Sequence, residues 1–103
     1  MSRPKSLKLS QCAAAIVTGA GSGIGRSFAL ELARRGGTVL CVDIQQERAA
    51  QTAAQVDELG GRGIAYTCDV GDEKQFAKLA SKADALLGRA TTVVVNNAGV
   101  GVG

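Results

Sequence analysis

The run Thr18-Gly19-Ala20-Gly21-Ser22-Gly23-Ile24-Gly25 constrains this chain more than any other. It lies between a short apolar stretch, Ala13 to Val17, and a helical pattern beginning near Ile24. A strand, a glycine turn and a helix start in that order form a cradle for phosphate. The turn brings main-chain N–H groups close to the anion, and the helix N-terminus adds roughly half a positive charge. A side chain at the crowded positions would hold the phosphates away. The common G-x-G-x-x-G spacing fails, because its third glycine would fall on Ile24. The spacing that fits is G-x-x-x-G-x-G through Gly19, Gly23 and Gly25, with Thr18 in front. A glycine cluster alone also describes a surface turn. Its place between strand and helix argues for the cradle.

Asp43 is the second signal. It closes the apolar run Thr38-Val39-Leu40-Cys41-Val42 and lies 18 positions beyond Gly25. A carboxylate at the tip of the second strand can accept hydrogen bonds from the hydroxyls of an adenosine ribose. It also repels a 2′-phosphate, and no Arg or Lys stands at Ser22, Ile44 or Gln45 to offset that. NAD(H) is therefore expected over NADP(H). By itself a strand-end Asp is also an ordinary turn residue; the glycine turn ahead of it tips the reading towards the ribose.

Four short apolar runs alternate with three helical patterns. Strands are expected over Ala13 to Thr18, Thr38 to Asp43, Ile64 to Asp69 and Thr91 to Asn96. Helices are expected over Ile24 to Arg35, Gln46 to Leu59 and Asp72 to Leu87, with Gly36, Gly60-Gly61 and Gly88 as their stops. The inward stripes read as Ile24, Phe28 and Leu32 on the first helix and Ala49, Ala53 and Val56 on the second. On the third they read as Phe76, Leu79, Ala83 and Leu86. Asp72 with Gln75 forms an acidic capping box. Val93-Val94-Val95 has the character of a strand buried on both faces. The pattern predicts an α/β, Rossmann-type parallel sheet in the order 3-2-1-4 with flanking helices. Its ligand crevice falls between strands one and four.

Composition narrows the function. With 3% aromatics and 46% hydrophobic residues, the core must be Ala, Val, Leu and Ile. The net charge of +3 sits in the first ten residues, as Arg3, Lys5 and Lys8. Residues 1–12 read as a flexible basic tail and 13–103 as one domain. The neutral body has no basic stripe or aromatic platform for nucleic acid. The three cysteines, Cys12, Cys41 and Cys68, include no C-x-x-C, and the chain has no histidine. A metal site and a disulfide framework are therefore not expected. Cys41 and Cys68 fall within predicted strands as small buried residues. No membrane span or secretory signal is read, so a cytoplasmic setting is the expectation.

Taken together, Thr18-Gly-x-x-x-Gly-x-Gly25, the Asp43 strand end, Asp69-Val70 and Asn96-Asn97-Ala98-Gly99 resemble the N-terminal half of a short-chain dehydrogenase/reductase. The resemblance covers Ala13 to about Gly101. It implies that Gly19, Ser22, Gly23, Ile24 and Gly25 line the cofactor diphosphate, and that Asp43 and the Ile44 backbone hold the adenosine ribose. Asp69 and Val70 would meet the adenine. Asn96, Asn97, Ala98 and Gly99 would brace strand four beside the cofactor, with Asn97 nearest the ribose on the nicotinamide side. Read locally, Asp69 is equally a turn residue feeding the Asp72 cap, and Asn96-Asn97 a turn-forming pair.

The family's Tyr-x-x-x-Lys pair is missing. The single tyrosine, Tyr66, has Val70 four positions on and lies within predicted strand three. The resemblance thus implies the NAD-binding part of an oxidoreductase acting on a small alcohol or carbonyl substrate, truncated after its fourth strand and inactive alone. The parent is expected to be a homo-oligomer. The alternatives are a non-catalytic NAD-binding sensor module and an inactive structural fragment. An isolated chain would also expose the Val93–Val95 edge, which invites pairing with another chain.

Overall fold

The computed structural model describes residues 13–97. Strand β1 (Ala14–Thr18) leads through the glycine turn into helix α1 (Gly23–Arg34). Strand β2 (Thr38–Asp43), helix α2 (Gln46–Glu58), strand β3 (Arg62–Thr67), helix α3 (Glu73–Leu87) and strand β4 (Val93–Asn96) follow. All strand pairings are parallel and the order is β3-β2-β1-β4, as the sequence predicts. In register, Ile16 of β1 stands beside Leu40 of β2 and Val94 of β4. The basic tail, Cys12, Ala98 and Gly99 lie outside the described residues.

Alternation along the central strands divides the core in two. Val39 and Cys41 face α1 and α2, where they join Val17, Ala29, Ala33 and Val56. Leu40 and Val42 face the other way, onto Leu79, Ala83 and Leu87 of α3. The expected stripe of α2 is buried, with Thr52 added to it.

The first helix is rotated from expectation. Its buried residues are Gly25, Ala29 and Ala33, while Ile24 and Phe28 are 66% and 48% exposed. Small side chains let the helix lie close to the sheet, and that proximity outweighs the burial of two larger groups. Phe76 departs in the same way: it is 45% exposed, and Leu87 completes the buried face of α3. Strand β4 is a sheet edge among the described residues, and Val94 is 61% exposed. The Val93-Val94-Val95 run therefore does not lie buried on both faces, since among the described residues no further element covers it.

Each helix is followed by a glycine with positive φ, at Gly36, Gly60 and Gly88. Asp72 caps α3, its Oδ1 accepting from the N–H groups of Lys74 and Gln75 at 2.9 and 3.2 Å. A cap of this kind contributes about 1 kcal/mol. The box is not reciprocal, because the Gln75 carboxamide accepts from the N–H of Asp69 (2.9 Å) instead of from that of Asp72. No helix among the described residues is long and apolar enough to cross a membrane.

Cys41 is fully enclosed, whereas Cys68 sits just past the end of β3, also buried. Burial, aided by the Asp57 charge, pushes the Cys41 thiol from its ordinary 9.0 up to about 12. The unfolded chain would release this proton first. The contribution to stability is thus whole below pH 9.0 and declines as pH rises towards 12. We expect Cys41 to resist iodoacetamide in the native chain at pH near 8 and to react on denaturation. Peptide mass spectrometry would read this, and native alkylation at the unfolded rate would contradict it.

Candidate functional site

The carboxyl ends of all four strands open onto one crevice of about 460 Å³. Gly19, Asp43, Ile44, Asp69 and Val70, five of the residues singled out from sequence, line it. Val42, Cys68, Gly71, Phe76 and Asn96 complete its wall. No Lys or Arg is among the lining residues, while two carboxylates are.

The glycine turn is built for close approach. Gly19 and Gly23 have φ of 65° and 58°, the left-handed region that side chains disfavour. Gly25 sits inside the first turn of α1, where an added Cβ would strike the Gly19 carbonyl oxygen and come within 2.8 Å of Asn97 Nδ2. Ser22 is the N-cap of α1 but makes no side-chain cap bond, and the first turn carries no acid. The other two helices have Glu47 and Glu73 in their first turns. The first N–H groups of α1 lack intrahelical acceptors, and their dipole end is uncompensated by side chains. An anion is the group such an end attracts.

Asp43 stands at the tip of β2 with its carboxylate doubly fixed. Oδ2 accepts from the N–H of Gly21 at 2.9 Å and Oδ1 from the N–H of Gln45 at 2.9 Å. A carboxylate so held retains further lone pairs for a ligand hydroxyl. The crevice therefore offers a carboxylate acceptor directly beside the glycine turn.

Asp69 is a turn residue, as its local sequence allows: its Oδ1 accepts from the N–H of Gly71 at 2.9 Å, and it also borders the crevice. The tips of β1 and β4 are tied together. The buried Thr18 hydroxyl donates to Asn96 Oδ1 at 3.0 Å, and Asn97 Nδ2 lies 3.4 Å from the Gly19 carbonyl oxygen that accepts from it. Ser22, Ile24 and Gly25 stand at the start of α1 and do not themselves line the crevice.

Three participants carry no signal in the sequence. Gly21 bonds the carboxylate, although the glycine spacing through Gly19, Gly23 and Gly25 passes it over. Arg48, in the first turn of α2, has its Cβ where a side chain on Gly21 would have to go. Phe76 borders the crevice rather than the core. Its i, i+3 spacing to Leu79 gives no hint of this. Among the described residues, no cluster of three or more His, Cys, Asp or Glu could hold a metal ion.

Comparison with known proteins places this architecture. The family model for short chain dehydrogenase matches residues 13–103. A 7alpha-hydroxysteroid dehydrogenase of Escherichia coli is 39% identical over 87 residues, which are 84% of this chain and 34% of that protein. A solved hydroxysteroid dehydrogenase from Escherichia coli matches with a TM-score of 0.82 and 36% identity, over 92% of this chain and 39% of the other. A 7 alpha-hydroxysteroid dehydrogenase complexed with NADH and 7-oxo glycochenodeoxycholic acid gives 0.80 and 34%, over 91% and 37%. The chain spans little more than a third of the length of these relatives.

Proposed function

The chain belongs to the short-chain dehydrogenase family, and from that membership we propose that it supplies the NAD(H)-binding part of an oxidoreductase acting on alcohol or carbonyl groups. Bound NAD(H) would supply or accept the hydride. The chain's own residues bind and orient it. Gly19, Ser22, Gly23, Ile24 and Gly25 receive the diphosphate at the N-terminus of α1. Asp43 and Ile44 take the adenosine ribose, Asp69 and Val70 border the adenine, and Asn97 supports the turn from the β4 side. Ala98 and Gly99 belong to the same set by family position.

One observation carries the reading: the Asp43 carboxylate is 2.9 Å from the main-chain nitrogen of Gly21. The ribose acceptor and the phosphate cradle thus share one end of the sheet, close enough for one nucleotide to touch both. The NADH-bound relative supports the choice of cofactor. Tyr66 lies in β3, so no residue of this chain is assigned the proton transfer. That step falls to the Ser and Tyr-x-x-x-Lys expected elsewhere in the parent enzyme, which we place in the cytoplasm as a homo-oligomer.

Titration with NAD⁺ and NADP⁺ by calorimetry tests the proposal. NAD⁺ should bind more tightly by at least about tenfold, the effect of one charge-assisted hydrogen bond. Asp43→Ala should weaken NAD⁺ by about ten- to a hundredfold and narrow the preference. Tighter binding of NADP⁺ by the unaltered chain would overturn the reading, and Arg48 would then be the cation to examine.

A further inference from the structure

Three polar bonds fasten the glycine turn to the second strand and helix. The N–H of Ala20 donates to the Val42 carbonyl at 2.9 Å. The Ala20 carbonyl accepts from the Thr52 hydroxyl at 3.0 Å, and Thr52 is 1% exposed. The N–H of Gly21 donates to the Asp43 carboxylate at 2.9 Å. Three consecutive polar groups of the turn are therefore held by β2 and α2, and the last of them grips the carboxylate itself. Thr52 is the only polar side chain buried on α2. An alanine or valine would serve apolar packing equally well at that position, whereas a hydroxyl is what the Ala20 carbonyl needs.

Gly21 explains why the latch is tight. A Cβ there would strike Arg48 Cβ and stand 2.7 Å from Asp43 Oδ2. Arg48 Cβ is anchored to the helix backbone and cannot swing aside, so either the turn or the carboxylate must move. The absence of a side chain at this position lets main chain and carboxylate meet directly.

We infer that Thr52 and Gly21 are positioning residues that keep the Asp43 carboxylate in register with the phosphate cradle, so that together they set the preference for an unphosphorylated ribose. The inference rests on the NAD reading above. Neither residue need touch the cofactor. Thr52 acts on the turn, the turn acts on Asp43, and Asp43 meets the ribose hydroxyls. Loss of the latch should harm the ligand that depends on those hydroxyl bonds more than the ligand whose 2′-phosphate the carboxylate repels.

The test measures Kd for NAD⁺ and NADP⁺ by calorimetry on the unaltered chain and on Thr52→Val, Thr52→Ser and Gly21→Ala, with circular dichroism reporting the fold. Thr52→Val should weaken NAD⁺ about three- to tenfold while changing NADP⁺ less, as one neutral hydrogen bond is removed. Thr52→Ser, which keeps the hydroxyl, should restore the preference. Gly21→Ala should narrow the NAD⁺/NADP⁺ preference about tenfold. In an Asp43→Ala background, Thr52→Val should leave the ratio unchanged, because its route to the ribose is gone.

A merely structural role for Thr52 would weaken both nucleotides alike and persist in that background, and this would overturn the inference. So would an unchanged ratio in both Thr52→Val and Gly21→Ala. If one of these two variants fails to fold, the ratio measured on the other decides between latch and no latch. If the unaltered chain prefers NADP⁺, the NAD reading falls and the latch falls with it. If it prefers NAD⁺ while the variants keep that preference, the latch alone fails.

Discussion

Gly25→Ala is expected to lower NAD⁺ affinity by about a hundredfold or more. The added methyl collides with the Gly19 carbonyl oxygen, a main-chain atom that cannot rotate away. Asn97 Nδ2, at 2.8 Å, closes the other side. The start of α1 and the turn must therefore separate, which misaims the N–H groups on which the cradle depends. A displacement of this size costs several kcal/mol in a packed site, and each 1.4 kcal/mol is tenfold in Kd. Gly23 supplies the contrast. A Cβ there meets nothing within 4 Å, so Gly23→Ala suffers only from its φ of 58°. That strain is about 1–2 kcal/mol. Calorimetry on both variants, with circular dichroism to confirm that each folds, would separate steric from conformational need. An affinity within about threefold of the unaltered chain in Gly25→Ala would defeat the explanation.

Leu40→Ala should cost about 2–5 kcal/mol of folding stability. Leu40 is on β2, one of the two inner strands, is fully buried, and packs into the core beneath α3. Truncation leaves a cavity that main-chain hydrogen bonds on both sides keep from collapsing. Against a total of about 5–15 kcal/mol for a typical domain, this is a large fraction. Urea unfolding should show a lower midpoint with an unchanged slope. Ile24→Ala, on the outer face of α1, should move the midpoint little, since about 0.5 kcal/mol is the usual limit for such surface changes. Equal losses in the two variants would mean that the core is not where the structure puts it.

The topology was readable because glycine punctuation and strand alternation are local signals. Each helix stop fell on a glycine that the structure shows with positive φ, and β2 ran from Thr38 to Asp43 as its composition indicated. The crevice was readable in part for the same reason: Gly19 and Asp43 sit at strand ends, where sequence position alone assigns them to one edge of the sheet. What escaped was anything that depends on how near one element lies to another. Side-chain size points to Ile24, Phe28 and Leu32 as the stripe of α1, yet the helix turns Gly25, Ala29 and Ala33 inward. Distance between layers is a tertiary quantity, and a periodic pattern of apolar residues does not encode it. The roles of Gly21 and Thr52 are not local signals either. Their partners, Asp43 and the Ala20 carbonyl, lie 22 and 32 residues away along the chain. The edge of the sheet at β4 shows the converse: three valines in a row describe what a strand could bury, not what lies beside it.

The inward face of α1 has a further consequence for anyone altering this protein. Gly25, Ala29 and Ala33 are near the lower limit of side-chain volume, so substitution there offers enlargement and almost no trimming. Random variation on that surface should therefore be rejected in one direction only, by wedging helix from sheet. Designers seeking a more robust variant should leave those three sites untouched and direct their changes to Phe28, whose side chain has room to change.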